Sequence, residues 1–284
     1  MRFFRKIALI LALTAGFWIL PVPAGADAQQ PGEHEGVFLP VILYHAVTEN
    51  PNKLGRDFIS PGLFESDMAY LRDRGYTTVS VAEILNYVDN GVPLPEKPVL
   101  VTFDDGFYSV LYYLMPIIRR MGVKAVMNVE GSFAEQAAGE NAGNPNWSYL
   151  TWGELRGLQD SGLFELGNHT YDMHHPNGAR CGCKMASGES YEAYRQALLQ
   201  DIGKLQDKLL ETCGTLPAAF AYPFGCISKE SYGVLEEMGF RILFTCYGTP
   251  NYLKTDPGKM LILHRYNRSG SLSTWSFMHR LLKG

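Results

Sequence analysis

The sequence has few cysteines, little excess charge of either sign and no basic stripe. Its five cysteines all follow residue 180 and their odd number leaves at least one thiol unpaired, which excludes the disulfide framework of a small exported domain. In Cys181-Gly-Cys183, a loop disulfide or two free thiols is favoured over metal ligation. The formal net charge is only −4, so nothing indicates nucleic acid as a partner.

Only one apolar stretch approaches the length of a membrane span, and it lies near the start of the chain. Basic residues precede the apolar run at 7–22, and small residues follow it up to Ala28, which is the pattern of a secretory signal. The run is shorter than the roughly 20 residues of a spanning helix. We therefore favour cleavage near Ala28 over an uncleaved membrane anchor. The predicted parts are a leader at 1–28, a linker at 29–38 and one domain at 39–284, in a secreted or extracytoplasmic protein.

Within that domain, apolar runs alternate with amphipathic helical patterns, which predicts βα units around a parallel sheet. The predicted strands are 41–44, 99–103, 125–129, 164–167, 218–222, 241–245 and 260–263. Capping residues predict helix starts at Ser60, Ser80 and Thr151, and the stretch Ser190 to Thr212 is predicted to be the longest helical segment. Seven strands are enough to close an α/β barrel. Residues 131–148 and 176–188 break the alternation and are predicted to be long loops over the barrel mouth.

Two adjacent carboxylates end the second predicted strand, in Val101-Thr-Phe-Asp-Asp-Gly106. Like charges side by side are costly unless they share a cation or one carboxylate is protonated. A solvated Asp-Asp-Gly turn is the structural alternative. The motif by itself does not choose between them.

Histidines cluster after the fourth predicted strand. Three of the seven histidines, His169, His174 and His175, lie within residues 169–175. Two imidazoles and one carboxylate suit a divalent metal such as zinc, and they leave a coordination position open for water, as catalytic sites do. Cobalt, nickel and iron fit the same ligands. His174 suits the role of second imidazole ligand better than His175.

These two motifs together resemble those of carbohydrate esterase family 4, the polysaccharide deacetylases, and the resemblance spans most of the domain. It implies a distorted, seven-stranded, TIM-barrel-like (β/α)7 barrel with a divalent ion held by Asp105, His169 and His174. Asp104 would be the general base, and Thr170 would orient the loop that carries both histidines. The residues after 263 resemble an extracellular Gram-positive-type branch of this family.

A third family motif, R-x-P-[Y/F]-G, is matched by Ala221-Tyr-Pro-Phe-Gly225 except that the arginine is missing. In the family that arginine braces the catalytic aspartate, so the resemblance leaves open what orients Asp104 here. It implies that the backbone N–H of Phe224 stabilises an oxyanion. It also implies that substrate contacts come from Tyr222, Pro223 and Gly225.

Two further histidines follow predicted strands. His264, in Met260-Leu-Ile-Leu-His264, approximates the family's last motif and is the predicted general acid, with a metal-polarised water as the alternative. His45 follows Tyr44, a dipeptide that lies near the active site in some related deacetylases, and it is predicted to contact substrate. A strand-end histidine with a structural role is the alternative for His45.

The implied reaction is removal of N-acetyl groups from an amino-sugar polymer by a monomer at the cell-envelope surface. Peptidoglycan, a chitin-like chain and an exopolysaccharide all satisfy this description. A catalytically silent glycan-binding barrel is the first alternative, supported by the missing arginine and the loose match at His264. A metal amidase acting on a small molecule is the second, and a closed mouth would favour it.

Overall fold

A computed structural model of the protein describes residues 35–139 and 142–283. The predicted leader at 1–28 and most of the predicted linker lie outside the described residues. Among the helices that are described, none combines the length and the apolar character needed to span a bilayer.

The strands are β1 (Val37–Phe38), β2 (Val41–Tyr44), β3 (Ala46–Val47), β4 (Phe58–Ile59), β5 (Thr77–Thr78), β6 (Pro98–Phe103), β7 (Ala125–Val129), β8 (Phe164–Asn168), β9 (Ala219–Ala221), β10 (Ile242–Thr245), β11 (Tyr252–Leu253), β12 (Leu261–His264) and β13 (Tyr266–Asn267). The α-helices are α1 (Pro61–Asp73), α2 (Val81–Asn90), α3 (Met115–Met121), α4 (Gly131–Gln136), α5 (Trp152–Asp160), α6 (Tyr191–Cys213), α7 (Ser231–Glu237) and α8 (Thr274–Leu281). A π-helical segment, Val110–Leu114, leads into α3, and short 3-10 turns lie at Pro51–Lys53 and Pro223–Gly225.

The parallel strands form a nearly closed barrel in the order β12-β10-β9-β8-β7-β6-β2-β13. Strands β12 and β13 are two pieces of one segment, separated only by Arg265. The first piece pairs with β10 and the second with β2, so this segment closes the ring. The prediction of a distorted seven-stranded (β/α) barrel in a single domain is confirmed.

Local sequence explains most element boundaries. Strands β2, β6, β7 and β10 are buried along their whole length, as expected of parallel strands that helices cover on the outside. The predicted caps Ser60, Ser80 and Thr151 each accept a backbone N–H from the first turn of α1, α2 and α5, and Ser190 does the same at the start of α6.

The prediction that 131–148 is one long loop was wrong at its start, where α4 forms. The carboxylate of Glu130 accepts the N–H of Phe133 and caps this helix, a role that the pattern of serine and threonine caps did not reveal. Residues 176–188 contain no helix or strand. Within them Cys181 is disulfide-bonded to Cys226, with Cα atoms 5.9 Å apart, while Cys183, Cys213 and Cys246 are free.

A buried ion pair ties the barrel to two of its outer helices. Arg268, which follows β13, places Nε 2.6 Å and Nη2 3.0 Å from the two carboxylate oxygens of Asp67 on α1. Both side chains are fully buried. The hydroxyls of Tyr44 on β2 and Thr274 on α8 donate to the same carboxylate. One charged group therefore joins the barrel, α1 and α8.

We expect Arg268→Met to lower the free energy of unfolding by about 3–5 kcal/mol, because it leaves the Asp67 carboxylate buried without its cation. Urea denaturation measures this difference. Arg72→Met is the matched control, since Arg72 forms an exposed pair with Asp73, and it should change stability by less than about 1 kcal/mol. Equal losses in the two variants would contradict a stabilising role for the buried pair.

Candidate functional site

Carboxylates and imidazoles meet at the mouth of the barrel, because parallel strands deliver the residues at their carboxyl ends to the same side. Asp104 and Asp105 follow β6, His169 follows β8, and His174 lies in the histidine loop, residues 169–175. Asp105, His169 and His174 each offer an atom that could bind a metal, and these three atoms lie within 4.8 Å of one another.

The chemistry of this cluster fits a divalent ion. Oδ1 of Asp105 lies 3.5 Å from Nε2 of His169 and 3.2 Å from Nε2 of His174, yet it is buried without a hydrogen-bond partner among the described residues. Nδ1 of His169 lies 2.8 Å from the carbonyl oxygen of Ala221. Since a carbonyl only accepts, Nδ1 carries the proton and Nε2 keeps its lone pair for a metal.

The ionisation of Asp105 also suits a cation ligand. Burial by itself would raise the pKa of this carboxyl, but the adjacent imidazoles of His169 and His174 outweigh burial and hold the pKa well below its usual range. Asp105 is therefore a carboxylate at neutral pH, and it presents negative charge to the point where the two histidines meet.

The backbone is strained at this mouth. Asp105, Thr170 and Phe224 have φ of 70°, 72° and 57°, and they are the non-glycine residues with positive φ in the described part of the chain. Such a conformation costs of the order of 1–3 kcal/mol per residue and persists where the surrounding structure enforces it. At Thr170 the enforcing contact is the side chain of Asn168, whose Oδ1 accepts the Thr170 N–H.

The other aspartate of the pair, Asp104, accepts hydrogen bonds on both of its carboxylate oxygens. Nη1 and Nη2 of Arg265 lie 2.6 Å and 2.7 Å from Oδ1 and Oδ2, and Nδ2 of Asn128 donates to Oδ1 at 2.7 Å. All three residues are buried. Burial raises the pKa of Asp104, but the charge and hydrogen bonds of Arg265 together with the nearby imidazole of His169 outweigh it, so the pKa lies below its usual value.

Arg265 was not among the predicted site residues. The family resemblance implies that an arginine at position 221, at the end of β9, holds the catalytic aspartate. In this protein Arg265 holds Asp104 instead, and it lies between β12 and β13, in the segment that closes the barrel. The sequence signal was an arginine two residues after the predicted strand at 260–263. Nothing in the spacing shows that this side chain points inward.

His45 and His264, the two other histidines predicted to act at the site, lie in different places. His45 lines the central cavity, which also contains Asp104, Asp105, His169 and His174, whereas His264 lines a separate groove formed by residues 250–264. Neighbouring residues of an extended segment point to opposite faces, so when Arg265 points inward, His264 points away. Nδ1 of His264 lies 2.7 Å from Oγ1 of Thr245.

The turn at residues 223–225 borders the central cavity through Phe224, which is 44% exposed and whose ring centroid lies 4.4 Å from that of His174. Tyr222 also lines this cavity, but it is fully buried and its hydroxyl is hydrogen-bonded to Ser231. Pro223 and Gly225 are not among the residues that line it. The disulfide of Cys226 follows directly and holds the turn against the loop at 176–188.

Comparison with known proteins gives matches over most of the chain. Residues 91–243 match the model of the family described as polysaccharide deacetylase. The chain is 27% identical over 237 residues to the poly-beta-1,6-N-acetyl-D-glucosamine N-deacetylase of Escherichia coli (strain K12), covering 77% of this chain and 35% of the relative. Identity to the protein of the same name from Staphylococcus aureus (strain MRSA252) is 23% over 187 residues, covering 66% of this chain and 60% of that relative. The chain thus spans only about a third of the E. coli relative.

Solved structures resemble this barrel as well. IcaB from Ammonifex degensii is 26% identical, with a TM-score of 0.69 over 88% of this chain and 98% of that one. A de-N-acetylase from Aggregatibacter actinomycetemcomitans is 24% identical, with a TM-score of 0.70 over 86% of this chain and 100% of that one. The second likeness concerns the fold alone.

We expect His174→Ala to weaken zinc binding by more than about 100-fold, since loss of a ligand exceeds the 10- to 100-fold effect of losing an outer partner. Titration against a competing chromophoric chelator measures the dissociation constant. His175→Ala is the matched control, because His175 is the exposed neighbour and pairs with Asp172 outside the cluster. Equal affinities in the two variants would contradict His174 as a ligand.

Proposed function

The chain belongs to the polysaccharide deacetylase family, and we propose that it hydrolyses N-acetyl groups of an amino-sugar polysaccharide with the help of a bound divalent metal ion. The observation that carries this proposal is the convergence of Asp105, His169 and His174 beside the buried carboxylate of Asp104. The names of the E. coli and S. aureus relatives favour poly-β-1,6-N-acetyl-D-glucosamine as the substrate.

Asp105, His169 and His174 would hold the ion, with zinc favoured by the two imidazoles and one carboxylate. When bound, a divalent ion supplies Lewis acidity toward the acetyl carbonyl and lowers the pKa of water. Phe224 lines the cavity at the barrel mouth and is 44% exposed, which suits contact with a sugar ring. A small-molecule amidase, which a closed mouth would favour, stays the alternative.

Asp104 is proposed as the general base. Its two oxygens are aligned by Arg265 and Asn128, and the low pKa keeps it ionised and able to accept a proton from the attacking water. The backbone N–H of Phe224 would donate to the oxyanion of the tetrahedral intermediate. The alternative of a silent glycan-binding barrel was supported by the missing arginine and by the loose match at His264, and Arg265 removes the first of these arguments.

We assign the proton for the leaving amine to His45 instead of His264. His45 lines the same cavity as Asp104, and its Nδ1 lies 3.9 Å from Oδ1 of Asp57. The ring nitrogen on the other side of the imidazole, Nε2, would then be the atom that donates to the leaving amine. His264 borders the separate groove and would act from outside the cavity. The products are acetate and a free amino sugar.

Residues 1–28 would direct the protein out of the cytoplasm, and such glycans occur outside the cytoplasm. The proposed setting is therefore the cell-envelope surface, with a monomer as the acting species.

With zinc bound, Asp104→Asn should release acetate from poly-β-1,6-N-acetyl-D-glucosamine oligomers about 100- to 10,000-fold more slowly than wild type, the usual contribution of a general base. Acetate is measured by an enzyme-coupled assay, with chitin oligomers and peptidoglycan as parallel substrates. Zinc affinity of the variant should stay near wild type, which controls for folding. No acetate release by zinc-loaded wild type on any substrate would contradict the proposed function.

His45→Gln should lower kcat about 100-fold or more without a matching rise in KM, because the amide cannot donate the proton as an acid does. His264→Gln is the matched control and should retain kcat within about twofold. The same assay measures both variants. A large loss at His264→Gln with little change at His45→Gln would reverse the assignment.

A further inference from the structure

The histidine loop, which carries both proposed imidazole ligands, is held from outside the barrel by helix α6. We propose that Asp201, on this helix, is a positioning residue that fixes the loop backbone so that His174 reaches Asp105. Oδ1 of Asp201 accepts the N–H of Tyr171 at 2.8 Å, and Oδ2 accepts the N–H of Asp172 at 2.9 Å. This inference rests on the proposed metal site.

The loop needs such support because its backbone is irregular. It leaves β8 through Thr170, whose φ is 72°, and it forms no helix or strand before Pro176. Within the loop the hydroxyl of Thr170 accepts only a long hydrogen bond, 3.3 Å, from the N–H of Met173. The two bonds to Asp201 are shorter than this one and end on a charged acceptor, so they restrain the loop more strongly than its own Thr170–Met173 bond does.

The side chain of Tyr171 has two close neighbours outside the histidine loop. Nζ of Lys204, one turn after Asp201 on the same face of α6, lies 3.5 Å from the centroid of the Tyr171 ring. The ring also packs against Gly131, where an added Cβ would lie 2.5 Å from Cδ2 of the tyrosine. Tyr171 therefore has little freedom to shift, and His174 follows it by three residues.

Restraint at Tyr171 and Asp172 determines where His174 lies. The Asp105–His169 half of the site is built on strand ends, but His174 is separated from β8 by the loop. If the two N–H groups lost Asp201, the loop would sample other positions while the strand-end ligands stayed in place. Metal affinity would fall although the barrel remained folded, as is typical when the residues that orient a ligand are changed.

Asp201→Asn tests this directly, because the amide has the same shape but can accept only one of the two N–H groups and turns its NH₂ toward the other. We expect the zinc dissociation constant to rise about 10- to 100-fold. The melting temperature of the metal-free protein should stay near wild type. Asp207→Asn is the matched control, with the same charge change at an exposed position on α6, and it should bind zinc as wild type does.

Two further measurements distinguish positioning from general stabilisation. The visible absorption spectrum of the Co²⁺-loaded protein should change in Asp201→Asn but not in Asp207→Asn, because the position of His174 alters the ligand field. Gly131→Ala places a methyl group against the Tyr171 ring, which must shift, and should weaken zinc binding in the same direction. If Asp201→Asn does not fold, the zinc affinity of Gly131→Ala tests whether restraint of the histidine loop controls metal binding.

Wild-type zinc affinity and an unchanged cobalt spectrum in both loop variants would overturn the inference. A lower melting temperature of metal-free Asp201→Asn with no loss of zinc affinity would also overturn it, because that result would show that Asp201 only stabilises the fold. If wild type itself binds no divalent ion, the proposed metal site fails and the inference fails with it. Acetate release by wild type is measured separately, so the two failures are distinguishable.

Discussion

The ion pair between Arg265 and Asp104 is the interaction on which both the barrel and the site depend. Arg265 interrupts the segment that closes the barrel, with β12 paired to β10 on one side and β13 paired to β2 on the other. Its buried guanidinium reaches across the interior to Asp104 on the β6 side of the mouth. An unpaired charge in either position would be strongly destabilising. Closure of the ring and orientation of the proposed base are thus linked through one contact.

Two adjacent carboxylates are tolerated at the end of β6 because each has a different set of partners. Asp104 is neutralised inside the barrel by Arg265 and receives a further hydrogen bond from Asn128. Asp105 points toward the imidazoles of His169 and His174. The backbone turns sharply between them, with Asp105 at positive φ, so the carboxylates face different surroundings. One residue is thereby suited to proton transfer and its neighbour to a metal ion.

The parts of the mouth that are neither helix nor strand are tied down by contacts from distant segments. A disulfide joins the loop at 176–188 to the turn that contains Phe224, and α6 holds the histidine loop through Asp201. Loops that carry chemistry need such restraints, because their backbones lack the regular hydrogen bonds of helices and strands. The barrel supplies the rigid strand ends, and these contacts extend that rigidity to the ligands and donors beyond them.

The sequence by itself determined the strands and the starts of several helices, because these depend on local patterns of buried residues and capping side chains. Its resemblance to the deacetylase family supplied the seven-stranded barrel and the gathering of Asp104, Asp105, His169 and His174 at one mouth. Only the tertiary structure decided that Arg265 takes the place of an arginine at position 221, that His45 and not His264 borders the cavity, and that Cys181 pairs with Cys226. These outcomes depend on which face of an extended segment points inward once the ring is closed. A contact across the barrel interior is determined by closure and burial, which no run of neighbouring residues encodes.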